Sequence, residues 1–115
     1  MELKMSRHEE VLKFIEDFKS IHREEIIDLF SNGYCYYFCI ILIERFKLNK
    51  EAIYYIPIYN HFITKIGKFY YDINGIVLNK NYMKVATKWK KYQKEDPLES
   101  ERIIRDCINK ESYNE

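Results

Sequence analysis

The sequence predicts an α+β domain in which a central buried helix packs on a small antiparallel sheet of about three strands, with further helices at its flanks. Three observations predict it. From Tyr34 to Phe46 nearly every residue is apolar or aromatic until Glu44-Arg45, and a helix that is hydrophobic all round is a buried one. Three short β-prone runs follow, at residues 52–58, 61–66 and 69–73, the last two joined by Gly67-Lys68 as a two-residue hairpin connection. Helix-spaced apolar stripes stand before and after this middle region.

The elements follow in order. Ser6 with Glu9 forms a capping box, so a first helix starts there and buries Val11, Leu12, Phe14, Ile15 and Phe18 on one stripe. A second helix over about 23–30 carries Ile26, Ile27, Leu29 and Phe30, and Ser31-Asn32-Gly33 breaks it. The central helix comes next, bounded by Gly33 before it and Leu48-Asn49 after it. With Gly67 first in the connection, a type II′ turn pairs Ile66 with Phe69, Ile63 with Asp72 and His61 with Asn74. Strand alternation then sets His61, Ile63, Lys65, Tyr70, Asp72 and Asn74 on one face and Phe62, Thr64, Ile66, Phe69, Tyr71 and Ile73 on the core face. After Gly75, one helix over 80–94 places Tyr82, Val85, Ala86, Trp89 and Tyr92 at helical spacing and Lys84, Lys88 and Lys91 on a basic stripe. Asp96-Pro97 with Glu99 starts a last helix, with Pro97 at its first position and Leu98, Ile104, Cys107 and Ile108 as its apolar side.

Composition bounds the function. The 115 residues are expected to form one domain, since two halves would be too small to bury separate cores. Within it, residues 1–30 form N-terminal helices, 31–75 the helix-plus-hairpin core and 79–110 C-terminal helices. Net charge is +1, which gives the whole molecule no field for nucleic acid. The charge is uneven, with seven acids against three bases in residues 8–28 and six lysines without an acid from Lys80 to Lys94. Lysine outnumbers arginine fourteen to five, and Ile and Asn are abundant, a codon bias typical of an AT-rich genome. Three cysteines do not suggest a disulfide framework. Residues 1–10 are polar and hold no signal-peptide h-region, and the longest apolar run is ten residues, too short for a bilayer. A cytoplasmic location away from membranes is therefore expected.

The chemistry-bearing residues are Cys35, His61 and Asp72. Cys35 stands at the start of the central helix, where the positive end of the helix dipole favours thiolate, the nucleophilic form. His61 opens one strand and Asp72 lies on the strand that answers it, diagonal neighbours about 7–8 Å apart at the backbone. That separation is within side-chain reach. In this order the three supply a nucleophile, a general acid–base and a group that orients the imidazole. Asn74 is the alternative acceptor for the ring N–H. The Cys35 backbone N–H, assisted by Asn32 or Tyr34, would meet an oxyanion.

Taken singly, each residue has an ordinary structural role. Free cysteine is among the most buried residue types, and Asp72 before Ile73-Asn74-Gly75 can simply hold a turn. Cys35 and Cys39 share a helix face and could meet His61 around zinc, but the spacing lacks a tight knuckle. No metal and no organic cofactor is expected, and Cys39 and Cys107 are read as core. The aromatic richness could stack single-stranded nucleic acid, but most of these rings fall at core-periodic positions.

The segments 32–38 (Asn-Gly-Tyr-Cys-Tyr-Tyr-Phe), 60–66 (Asn-His-Phe-Ile-Thr-Lys-Ile) and 70–75 (Tyr-Tyr-Asp-Ile-Asn-Gly) together resemble the papain-like and transglutaminase-like cysteine enzymes. In those families a thiol heads a central helix that packs on a sheet supplying His and Asp. The resemblance covers roughly residues 31–75 and rests on order, placement and element type. It implies a thiol-dependent hydrolase or acyltransferase acting on an amide, isopeptide or thioester of a protein or peptide substrate. The chain departs from those families in its small size, its short sheet, and the lack of a Gln or Trp placed as an oxyanion donor. The rival expectation is a non-catalytic inhibitor or adaptor on the same fold, carried by a phage or mobile element and binding a target protein through its acidic helices or its lysines.

Overall fold

The computed structural model of the chain describes residues 4–31 and 33–108. Among them, six α-helices surround one antiparallel sheet of five strands. The first helix, α1 (Arg7–Lys19), opens on the expected capping box, in which the Ser6 side chain accepts from the Glu9 backbone while the Glu9 carboxylate turns back to the Ser6 backbone. Each satisfies a helix-end donor that would otherwise be open. Ser6→Ala should cost about 1 kcal/mol in thermal or urea unfolding, and an unchanged midpoint would contradict the role given to the cap.

The second helix, α2 (Arg23–Ser31), and the central helix, α3 (Cys35–Phe46), follow as the periodicity predicts. Gly33 stands between them at φ +136°, a conformation that an L side chain rarely adopts. Phe38, Leu42 and Phe46 of α3 form a cluster with Val11, Ile15 and Phe30, and Phe14 and Phe18 pack beside it. The phenyl rings of Phe18, Phe30 and Phe38 meet pairwise at centroid distances of 5.6 Å. That spacing suits tilted and edge-on aromatic contacts.

The sheet order is β4-β3-β2-β1-β5, with β1 (Ile53–Ile56), β2 (His61–Ile66), β3 (Phe69–Asp72), β4 (Gly75–Ile76) and β5 (Thr87–Lys88). The three expected strands form, and two more of two residues each extend the sheet at its edges, too short to show any alternation in the sequence. Gly67, at φ +65°, takes the first central position of the β2–β3 turn, as a type II′ hairpin requires. The register starts as expected with Ile66 opposite Phe69, then Lys65 opposite Tyr70 and Thr64 opposite Tyr71. It does not continue to the expected pairs Ile63–Asp72 and His61–Asn74: the ladder stops at Thr64–Tyr71, and beyond Ile73-Asn74 the chain folds back along the other edge of β3, where Gly75 pairs with Asp72.

Phe62, Thr64, Ile66, Tyr71 and Ile73 are all buried, as the core face requires, whereas Phe69 is 40 % exposed and lies against the His8 ring. The opposite face is not open either. Ile63 is fully buried there with Ile56 and Val77, and Tyr54, Tyr70, Tyr82 and Ala86 pack around them. A second large cluster joins Cys35, Cys39 and Ile43 of α3 to Ile53, Tyr55, Phe62, Trp89 and Ile103.

The single helix expected over 80–94 is broken. It divides into α4 (Lys80–Val85), strand β5 and α5 (Trp89–Glu95). Tyr54 pairs with Lys88 and Tyr55 with Thr87, so backbone groups along β1 that would otherwise lie at an open edge find partners. The break also sets the Trp89 ring 5.4 Å from Tyr55 and 5.0 Å from Phe62. Lys84, Lys88 and Lys91 consequently sit on three different elements and form no single basic stripe.

The last helix, α6 (Pro97–Ile103), is capped by Asp96 accepting from Glu99 N–H, as expected. A π-helical turn over Ile104–Ile108 continues it. Ile103 is fully buried, whereas Leu98, expected on the apolar side, stands in the first turn of α6 and is 81 % exposed. No single described helix is long and apolar enough to cross a membrane.

Candidate functional site

The site is built where the start of α3 meets the ends of β2 and β3. Cys35 is the first residue of α3, so its backbone N–H belongs to the first turn, whose donors have no intrahelical acceptor. Its side chain is 8 % exposed and belongs to the cluster beneath the sheet. His61 is the first residue of β2. It is placed there by a turn in which Asn60 takes a left-handed φ of +48°. Asn60 is itself tied down: its carbonyl accepts from Tyr55 Oη at 2.7 Å, and its amide donates to Cys107 Sγ at 3.2 Å.

Asp72 closes β3 and uses both carboxylate oxygens. Oδ1 accepts the Asn74 backbone N–H at 2.9 Å, the local turn bond that such a position ordinarily makes. Oδ2 accepts from His61 Nε2 at 3.0 Å. The turn-forming role and the imidazole-orienting role therefore coexist on one side chain. With Nε2 engaged by Asp72, Nδ1 is the other ring nitrogen, and Cys35 lies near enough to bear on the charge of the ring.

Electrostatics follow from this geometry. Burial of the His61 ring pulls its pKa down, but the hydrogen bonds to Asp72 and Cys35, with the charges on both, more than offset this and raise it to about 9. The side chains of His61 and Asp72 are 15 % and 13 % exposed, so the pair is only weakly screened by solvent. Cys39, one turn further along α3, is pushed well above the ordinary thiol range by complete burial. An apolar environment disfavours thiolate.

Of the remaining residues expected at the site, Asn74 contributes its backbone to Asp72, while Asp72 and not Asn74 holds the ring N–H. Tyr34 is the residue that precedes the first turn of α3. Asn32 lies outside the described residues. Around His61 and Asp72 is a cavity of about 270 Å³, lined further by Ser31, Tyr59, Asn60, Asn74 and Tyr82. The rings of Tyr59 and Tyr82 meet at 4.6 Å, and Tyr82 lies 6.2 Å from the His61 ring.

Tyr59 and Tyr82 were not legible as site residues, because one falls in a turn and the other in the apolar periodicity of a helix. A larger cleft of about 750 Å³ lies elsewhere, between Tyr36, Ile53, Trp89 and Ile104, and contains none of the three chemistry-bearing residues. The described residues include no group of three or more His, Cys, Asp or Glu side chains arranged to hold a metal ion.

The chain belongs to the phage YunG-like protein family, whose pattern it matches over residues 11–106. That span contains the central helix, the whole sheet and all three of Cys35, His61 and Asp72. No curated protein and no solved structure matches the chain.

Proposed function

We propose that this protein is a thiol-dependent hydrolase or acyltransferase that acts on an amide, isopeptide or thioester through Cys35, His61 and Asp72. The observation that carries the proposal is the bond from His61 Nε2 to Asp72 at 3.0 Å, with Cys35 at the head of α3 near enough to bear on the charge of the imidazole. The same arrangement underlies its likeness to papain-like and transglutaminase-like enzymes.

In the proposed reaction, the Cys35 thiolate, paired with the protonated His61, attacks the carbonyl carbon. The C–O π electrons move to oxygen, and the Cys35 N–H meets that oxyanion. Collapse breaks the bond to the leaving group, which takes the proton from His61 and leaves an S-acyl cysteine. Water or an acceptor amine then attacks the thioester, giving its proton to His61, and the sulfur departs as the thiolate paired with it. Asp72 keeps the imidazole in the tautomer and orientation both halves need.

The test is alkylation of Cys35 by iodoacetamide at a fixed pH near neutrality, with mass mapping to separate it from Cys39 and Cys107. A thiol paired with an imidazole should lose at least about tenfold in rate, roughly 1.4 kcal/mol, in His61→Ala, and a smaller part of that in Asp72→Asn. Reactivity that ignores His61 would remove the basis of the proposal.

One observation favours a second reading. Cys35 is 8 % exposed and does not line the cavity beside His61, which suits a non-catalytic, phage-encoded binding protein that keeps the fold without turnover. Such a protein would bind its target equally well with Cys35→Ser.

A further inference from the structure

We infer that the cleft between Tyr36 and Trp89 binds a small organic anion, whose flat apolar body lies on the cleft floor and whose anionic head meets the lysines around it. Cys35, His61 and Asp72 do not line this cleft, and the inference is independent of the roles proposed for them. The cleft measures about 750 Å³, within the range that encloses a drug-sized molecule. Ile53 and Trp89 form its buried floor, and Tyr36, Ile104 and Ile108 stand half-buried along its walls. An apolar group gains free energy by leaving water for such a hollow. Gln93, half-buried in the same wall, makes no hydrogen bond within the described residues and offers the ligand a polar contact.

The charge around the cleft selects the sign of the ligand. Lys50 and Lys90 line it and are exposed. A shallower hollow of about 460 Å³ adjoins it, shares Asn49 and Glu51 as walls, and adds Lys47, Lys65 and Lys88. Glu51 is the one acidic residue lining either hollow, and Lys90 engages it at 3.7 Å.

Lys47, Lys50, Lys65 and Lys88 have no ion-pair partner among the described residues. Lys65 faces the rings of Tyr54 and Tyr70 instead, at 6.0 and 5.7 Å. These four come from the end of α3, the turn before β1, β2 and β5, so the fold gathers them from separate elements. Cations brought together in this way repel one another, and an anion relieves the repulsion. A bare inorganic anion would leave the apolar floor unused, and a neutral body would leave the lysines unused.

Trp89 is the single tryptophan of the chain, so one indole N–H resonance in the NMR spectrum reports on the cleft floor. The probe is naphthalenesulfonate. Its controls are naphthalenesulfonamide, which has the shape without the charge, and inorganic phosphate, which has the charge without the body. The sulfonate should shift the Trp89 resonance saturably and bind on the order of tenfold tighter than the sulfonamide at low salt. Rising salt should erode that advantage, and phosphate alone should leave the resonance in place. In Lys47→Glu with Lys50→Glu, the preference for the sulfonate should vanish. Glu51→Gln removes the only acid in the walls and releases Lys90, so it should tighten the sulfonate several-fold, a gain that loss of folding cannot produce.

A Trp89 resonance that ignores the sulfonate, or equal affinities for sulfonate and sulfonamide on the unaltered protein, would overturn the inference. Neither comparison depends on any variant folding.

Discussion

Phe62→Ala is expected to cost roughly 3–5 kcal/mol of folding stability, the range for removing a large aromatic side chain from a core that cannot collapse around the gap. Phe62 is 1 % exposed on β2, the central strand of the sheet, and its ring meets Tyr36 at 5.2 Å, Tyr55 at 4.9 Å and Trp89 at 5.0 Å. These three partners come from α3, β1 and α5, so one ring couples the central helix, the sheet and the C-terminal region. Burial of that area and the loss of several edge-on aromatic contacts both count against the variant. Urea unfolding checks it: the midpoint should fall steeply while the slope, which reports exposed area, holds. A loss below about 1 kcal/mol would mean that the cluster repacks, contrary to the close packing expected of protein interiors. Because Phe62 is flanked by His61 and Ile63, the same variant should also loosen the site.

The second large effect is a pH dependence. His61 has an ordinary pKa of 6.5, raised to about 9 in the folded protein by Asp72 and Cys35 against the opposing pull of burial. A group whose folded pKa exceeds its unfolded one stabilises the fold fully below the unfolded value and loses that contribution as pH rises through the folded value. The window is therefore pH 6.5 to 9, and stability should fall across it as pH increases. The shift corresponds to a contribution on the order of 3 kcal/mol. Denaturant unfolding at closely spaced pH values should show the decline, and His61→Ala should flatten it. Titration of the His61 ring protons by NMR gives a direct reading, with a midpoint near 9 that drops in Asp72→Asn. A midpoint near 6.5 in the unaltered protein would mean that the bond between His61 and Asp72 is not maintained in solution.

The residues that reveal the site do so unequally. Cys35 is conspicuous because a break at Ser31-Asn32-Gly33 comes just before a long apolar run, which places a thiol at a helix start. His61 and Asp72 come within reach because Gly67-Lys68 fixes a two-residue turn, and a two-residue turn fixes which side chains share a face. The reach itself comes about differently from the expected strand pairing, because the β2–β3 ladder stops at Thr64–Tyr71, short of Asp72. Its side chain, and not its backbone register, spans the distance to His61. Tyr59 and Tyr82 were not legible because their meeting depends on where α4 lands over the β1–β2 turn, which no local pattern encodes.

The sequence by itself determined the α+β class, the capped first helix, the buried central helix and the β2–β3 hairpin. Each of these rests on short-range physics: caps, hydrophobic period and turn chemistry act within a few residues. Only the tertiary structure decided the two edge strands, the break of the helix after Val85 and the aromatic wall beside His61. In each of those places a distant partner outweighs local propensity. An unpaired edge of β1 accepts Thr87-Lys88, and the space against Tyr55 and Phe62 accepts Trp89. The free energy of filling a strand edge and a core cavity is larger than the few tenths of a kcal/mol per residue that separate helix from strand in isolation.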